Sequence, residues 1–251
     1  MPSSVFLTDM LFSQGFGTRR LCAGLVQQGL VKTYGDAGFQ LCEQTDQLIE
    51  VEDGMPFMVQ GELWQYHAKA YVLLHKPAGT ECSHKPSAWP SVYSLLPTPL
   101  RQRPAKTGLQ GVQAVGRLDQ DTTGMLLLSD DGQFIHRMSS PKHHVPKVYE
   151  LTTEDPLDEA VVVKLTKGVV LNDDPVPVKA AACNLTGSHQ MQLTLTEGKY
   201  HQVKRMLAAT GHKVIQLHRS RMGNLVLSDD LRPGQWRWLT TEELADLTRK
   251  Q

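Results

Sequence analysis

Residues 116–128 read GRLDQDTTGMLLL: an arginine and two carboxylates held between two glycines, then apolar residues over the length of one strand. The glycines permit tight backbone turns, and the run Met125–Leu128 reads as a buried strand that anchors the loop before it. A carboxylate on such a loop, Asp119, is positioned and partly desolvated, as acid, base or nucleophilic chemistry requires. The same residues also fit an ion pair with Arg117 or a capped turn. The rest of the chain has to choose between these readings.

Working outward, GMLLLS (124–129) stops at DDG, where Asp130 or Asp131 caps a helix over QFIHRMS (133–139). KVYELTT (147–153) and HQMQLTLTEG (189–198) alternate as strands do, and KVIQLHR (213–219) and GNLVLS (223–228) are short strand-like runs. Between them KYHQVKRMLAATGHK (199–213) is a helix with Val203, Met206 and Leu207 on one face and Gly211 where a left-handed C-cap belongs. A last helix opens at Thr240, with Glu243 completing a capping box. Upstream, YVLLHKPAG (71–79) reads as a buried strand broken by Pro77 and Gly79.

Towards the start of the chain, Phe6, Leu7, Met10 and Leu11 keep helical spacing up to Gly15. Thr18 then caps a second helix whose Leu21, Cys22, Leu25 and Val26 share one face before Gly29. LVKTYG (30–35) and Leu48–Val51 supply short strands. The expected organisation is an α+β module over residues 1–60, a linker over 61–68 and a strand-rich domain over 69–251.

Composition sets the outer bounds. The chain has 251 residues, 40% of them hydrophobic, enough to bury a real core. No run of about 18 apolar residues occurs, and MPSSVFLTDMLFSQ has neither a basic start nor a continuous apolar stretch, so a soluble, cytoplasmic protein without a membrane partner is expected. Cys22, Cys42, Cys82 and Cys183 stand far apart and read as reduced thiols. The ten histidines form no helical H-x-x-x-H pair or Cys/His cluster, and no metal site is expected. Asp121 reads as a partner of Thr123 or of a nearby backbone amide, because two adjacent loop carboxylates do not span a scissile bond.

Net charge is zero, yet the charge is unevenly spread. Residues 1–60 hold Arg19, Arg20 and Lys32 against the seven acids Asp9, Asp36, Glu43, Asp46, Glu50, Glu52 and Asp53. Between Glu197 and Arg221 lie Lys199, Lys204, Arg205, Lys213, Arg219 and Arg221 with Glu197 as the single acid. That stripe is either a phosphate-binding surface or a solvated face.

Three separated stretches decide among these readings. AVGRLDQDTTGMLLLSDDG (114–132), SPKHHVPKVYEL (140–151) and LTEGKYHQVKRMLAATGHKVIQLHRSRMG (195–223) together resemble the motifs of the bacterial ribosomal-RNA pseudouridine synthases, in the branch that modifies small-subunit RNA. LLHKPAGTECS (73–83) resembles the entry strand of the same catalytic domain, and residues 1–60 are similar to the S4-type RNA-binding domain.

The resemblance implies an α+β protein: a small S4-like module, then a catalytic domain with a mixed, mainly antiparallel sheet flanked by helices. It implies isomerisation of one uridine in 16S ribosomal RNA without a cofactor, with a large-subunit target or a non-catalytic RNA-binding assembly factor as the alternatives. Asp119 matches the catalytic aspartate, for which an ionised carboxylate is suited. Tyr149 matches the active-site tyrosine, Lys204 the cation that pairs with the aspartate, and Arg117 the arginine that holds the flipped nucleotide. RNA contacts are expected from Arg19 and Arg20 and from Lys199, Arg205 and Arg219. The implied partner is ribosomal RNA or an assembling small subunit, met by a monomer.

Overall fold

The computed structural model describes residues 3–35, 37–105, 108–172 and 174–249, so Asp36 among the acids counted above lies outside it. The chain divides into two compact units, one running up to Ala70 and also taking Leu96–Gln113, the other taking Tyr71–Leu95 and the chain from Ala114 onward.

In the first unit the helix Leu7–Ser13 buries Leu7, Met10 and Leu11. The second helix, Arg19–Gln27, is capped as expected, with the Thr18 hydroxyl accepting from the Leu21 amide. Its buried residues are Cys22 and Val26; Leu21, expected on that face, is turned outward and lies over Gly17. Val31–Gly35 pairs with Gly38–Leu41 on one side and Pro56–Val59 on the other, and Glu62–Gln65 pairs outside Pro56–Val59. Ser3–Phe6 pairs with Leu48–Val51.

Two boundaries therefore differ from the sequence reading. The 61–68 stretch is no linker, because Glu62–Gln65 is a paired strand. Its turn, Gln60-Gly61, has φ of 53° and 85° at the two positions, the positive pair that suits a tight two-residue hairpin. Nor is 69–251 one unit, since Leu96–Gln113 belongs with the N-terminal segment. Arg103 ties it there: fully buried, it donates to the Gln14 side chain at 3.0 Å and to the His67 carbonyl at 2.6 Å. A buried guanidinium needs such acceptors, and they lie far away in sequence.

The second unit is built on a mixed sheet in the order 182–187, 190–195, 147–153, 214–222, 123–129, 71–76, 236–238. Neighbours are antiparallel except Thr123–Ser129, which runs parallel to Val214–Met222. Thr123–Ser129 is central and buried on both faces from Gly124 onward, which explains its unbroken apolar run. Gly124 sits opposite Arg219 with φ of 106°, and a Cβ there would collide with the Arg219 carbonyl. Only glycine lets these two strands come together.

Helices flank the sheet, three of them with side-chain caps. Asp131, rather than Asp130, caps Gly132–Ser139, and Asp158 caps Glu159–Lys167. Thr240 and Glu243 form the expected capping box of Thr241–Thr248, and Glu243 also takes both guanidinium nitrogens of Arg237 at 2.6 and 2.7 Å. The helix Gln202–Ala209 buries Val203, Met206 and Leu207, with Gly211 at φ 91° just past its end.

Candidate active site

The loop 115–122 enters the central strand Thr123–Ser129 at one wall of an open cleft of about 580 Å³ in the second unit. Asp119 points into it, its side chain 23% exposed. Two mechanical features hold the loop. The Thr122 amide donates to the Asp119 carbonyl at 3.1 Å, closing a tight turn. Beneath it lies Lys76, fully buried at the end of the strand Tyr71–Lys76. Its ammonium donates to the carbonyls of Thr122 at 2.9 Å, Pro77 at 3.0 Å and Gln120 at 3.2 Å. All three ammonium protons are thereby engaged. Burial pushes Lys76 below the usual lysine range, and the nearby carboxylates Asp121 and Asp119 work against that fall.

Opposite the loop, the N-terminus of the helix Gln202–Ala209 delivers two cationic or titratable groups to Asp119. Lys204 Nζ lies 3.3 Å from Asp119 Oδ2, and His201 Nε2 lies 3.3 Å from Asp119 Oδ1. The expected pairing of Lys204 with Asp119 is present but shared. Lys204 also donates to Asp121 Oδ1 at 2.6 Å, its shorter contact, which replaces the expected bond from Asp121 to Thr123 or a backbone amide. Burial acts upward on the Asp121 carboxyl and is the largest single influence, but the Lys204 hydrogen bond and charge, a backbone hydrogen bond and the nearby His201 together hold the group below the usual carboxylate range. Lys204 thus fixes two carboxylates, one facing the cleft and one more exposed.

His201 had no role in the sequence reading. It caps the helix in the left-handed conformation, φ 48°, a rare state for a residue with a side chain. Its ring stacks on Tyr200 at 3.8 Å, and Tyr200 is left 71% exposed at the cleft. Neither Lys76 nor His201 is marked by periodicity. The available signals were a lysine closing an apolar strand and a histidine three residues before the lysine expected to pair with Asp119.

Tyr149 is buried in the strand Lys147–Thr153 and lines the cleft, directly across from Arg219 on Val214–Met222. Arg117 is exposed at the wall of the same cleft. The basic stripe, by contrast, does not act as one surface. Arg219, expected to meet RNA phosphates, is only 2% exposed, its Nε donating to the Met125 carbonyl at 2.8 Å; the strand pairing that needs Gly124 has drawn it inside. Lys199 lines the cleft, paired with Asp174, which raises the lysine and lowers the carboxyl. Arg205 donates to the Tyr200 carbonyl at 3.1 Å, and Lys213 pairs with Glu154 at 3.0 Å. In the first unit, Arg19 bonds Asp9 at 2.7 Å and lies over the Phe12 ring, whereas Arg20 is exposed.

The cleft floor carries a further buried cation. Lys147 is 7% exposed and donates to the Val145 carbonyl at 3.0 Å. Burial, and then the charge of Arg219, push its ammonium down to about 8. Among the described residues no group of three His, Cys, Asp or Glu side chains is arranged to hold a metal ion.

A carboxylate braced by a lysine and a histidine above a tyrosine floor is chemistry suited to a nucleoside, and the comparisons with known proteins agree. The RNA pseudouridylate synthase family model matches residues 70–209. The ribosomal small subunit pseudouridine synthase A of Pasteurella multocida is 35% identical over 245 residues, covering 96% of this chain and 99% of the relative. That of Escherichia coli K12 is 38% identical over 244 residues, covering 95% of this chain and 98% of the relative. A crystal structure of a pseudouridylate synthase superposes with a TM-score of 0.66 at 33% identity, covering 97% of this chain and all of that one. The chain belongs to the RNA pseudouridylate synthase family and is an RNA pseudouridine synthase.

Proposed function

We propose that this enzyme isomerises one uridine of 16S, small-subunit ribosomal RNA, with Asp119 as the group that acts at the sugar–base junction. The observation that carries the reading is the Asp119 carboxylate, aimed into the cleft and held between Lys204 and His201. Relatives named as small-subunit enzymes match nearly the full chain, which supports the choice of RNA.

The reaction breaks the bond from C1′ to N1 of uracil, turns the base and rejoins it through C5. One proton leaves C5 and one is gained at N1, so no redox partner or cofactor is required. Asp119 either bonds to the reacting nucleoside or balances the charge that develops on the sugar. Lys204 and His201 keep the carboxylate oriented. Tyr149 forms the surface on which the extruded base rests and stands near the C5 proton. Arg117, at the exposed wall, meets the displaced nucleotide or its phosphate.

The N-terminal unit is read as an S4-type RNA-recruiting module, with exposed Arg20 as its main contact and Arg19 held back by Asp9. The enzyme acts as a cytoplasmic monomer on ribosomal RNA or on an assembling small subunit. Two measurements test this. Tritium release from C5-labelled uridine should be seen with small-subunit RNA and be absent with large-subunit RNA; the reverse result refutes the substrate, and release from neither refutes catalysis on ribosomal RNA. Arg117→Ala and Arg20→Ala should each flatten the slope of log affinity against log salt by about 0.7 to 0.9, the effect of one lost phosphate contact. An unchanged slope in both would remove these arginines from the RNA interface.

A further inference from the structure

The two ends of the cleft differ in how their charges are balanced. At the loop, Lys204 faces two carboxylates. At the floor, Lys147 and Arg219 are both buried and, among the described residues, neither has a carboxylate partner. Arg219 spends Nε on the Met125 carbonyl, while its Nη2 is buried with no hydrogen-bond partner. Lys147 spends one of its three donors on Val145. Both line the same cleft as Asp119, on either side of Tyr149: Lys147 precedes it by two residues and Arg219 faces it across the strand pair.

Burying two neighbouring cations without an anion is unfavourable by desolvation and by their mutual repulsion. Such an arrangement becomes favourable when negative charge is delivered to it during a reaction, because fixed buried charges need no reorganisation. The proposed chemistry delivers that charge. When C1′–N1 breaks, the electron pair departs with the base, and the resulting uracil anion spreads its charge over N1, C5 and the two carbonyl oxygens. The charge is discharged when C5 bonds to C1′; the C5 proton then leaves and N1 gains one, so the base ends neutral.

We infer that Lys147 and Arg219 form a cationic floor that binds the uracil carbonyl oxygens and stabilises the detached base as an anion. The inference rests on the proposed action of Asp119 at the glycosidic bond, for which it supplies the complementary half: Asp119 answers the positive charge on the sugar, and the floor answers the negative charge on the base. A backbone phosphate is the other anionic oxygen in the substrate, but Arg219 at 2% exposure lies below the level such a group reaches without losing its own hydration.

The test uses the full-length enzyme and two small-subunit RNAs, one with uridine and one with 5-fluorouridine at the target, in single-turnover reactions that read glycosidic-bond breakage. Fluorine at C5 withdraws electrons and makes the uracil anion a better leaving group. Lys147→Met and Arg219→Gln are each expected to slow the uridine RNA by about 100-fold, the loss typical of one oxyanion-binding group. On the fluorinated RNA the same variants should lose only about tenfold, because less stabilisation is then required of the floor. Lys147→Arg should restore most of the rate. RNA affinity and its salt slope should be unchanged.

Wild-type rates in the variants, or equal losses on the two RNAs, overturn the inference; a salt slope flattened by about 0.7 to 0.9 assigns the pair to a phosphate instead and overturns it equally. If Arg219→Gln fails to fold, Lys147→Met carries the comparison alone. Failure of the underlying reading looks different: Asp119→Asn then retains turnover, or the wild-type enzyme converts large-subunit RNA, on which the same comparison of floor variants is made.

Discussion

Asp119→Asn is expected to lower the single-turnover rate by roughly 10⁴-fold or more, the scale seen when an enzyme's nucleophile is removed, with RNA affinity unchanged. The amide keeps the shape of the side chain, and the loop that carries it does not depend on the carboxylate. Its turn is closed by the Asp119 carbonyl and the Thr122 amide, and its base is held by Lys76. Lys204 also stays in place, since its shorter bond is to Asp121 at 2.6 Å. Charge at one point is therefore nearly all that is removed. Asp121→Asn provides the control on the same loop: it takes the shorter partner from Lys204 yet leaves the Asp119 contact at 3.3 Å, and the expected loss is less than about tenfold. Turnover of Asp119→Asn within tenfold of wild type, or a larger loss in Asp121→Asn, would reverse the roles given to the two carboxylates.

Lys76→Met should be the most destabilising change near the site. It takes away the donor of the buried Thr122 carbonyl and one of two donors from the carbonyls of Pro77 and Gln120, which keep the Thr80 hydroxyl at 3.1 Å and the Gly79 amide at 2.8 Å. One stranded acceptor costs about 1 to 3 kcal/mol, and since methionine fills the space and removes a buried cation, we expect about 2 to 3 kcal/mol in total. Urea unfolding of the second unit, followed through its own tryptophans Trp89, Trp236 and Trp238, measures it. The variant that does fold should also turn over about 100-fold more slowly, because the loop that carries Asp119 has lost its support and small displacements of a reacting group are costly. Unfolding within about 1 kcal/mol of wild type would mean that Lys76 is a bystander at the loop.

Much of the catalytic half was legible along the chain. The loop–strand unit 116–128, the helix that buries Val203, Met206 and Leu207, and the caps at Thr18 and Thr240 are local features, in which side chains close in sequence decide the backbone. The positions of Asp119, Tyr149 and Lys204 at one cleft also follow from motifs in their order along the chain. The linker over 61–68 was misread because its hairpin depends on two positive φ values at Gln60-Gly61, and glutamine gives no local warning of that state. Arg103, which anchors residues 96–113 to the N-terminal segment, finds its acceptors 36 and 89 positions away.

The sequence by itself determined the central strands of the catalytic unit, the helix that carries Lys204, the capped helices that open at Thr18 and Thr240, and which loop presents a carboxylate. Only the tertiary structure decided what each charge does. Arg219 and Lys199 belong to one basic stripe on paper, yet one is buried under the cleft against a backbone carbonyl and the other is paired with Asp174. Lys204 is divided between two carboxylates, and Lys76 supports the loop from below. The physical reason is that a charged side chain has no periodicity of its own to announce burial. Its environment is set by which strands come into register, as Gly124 and Arg219 do, and by acceptors that only folding brings within reach.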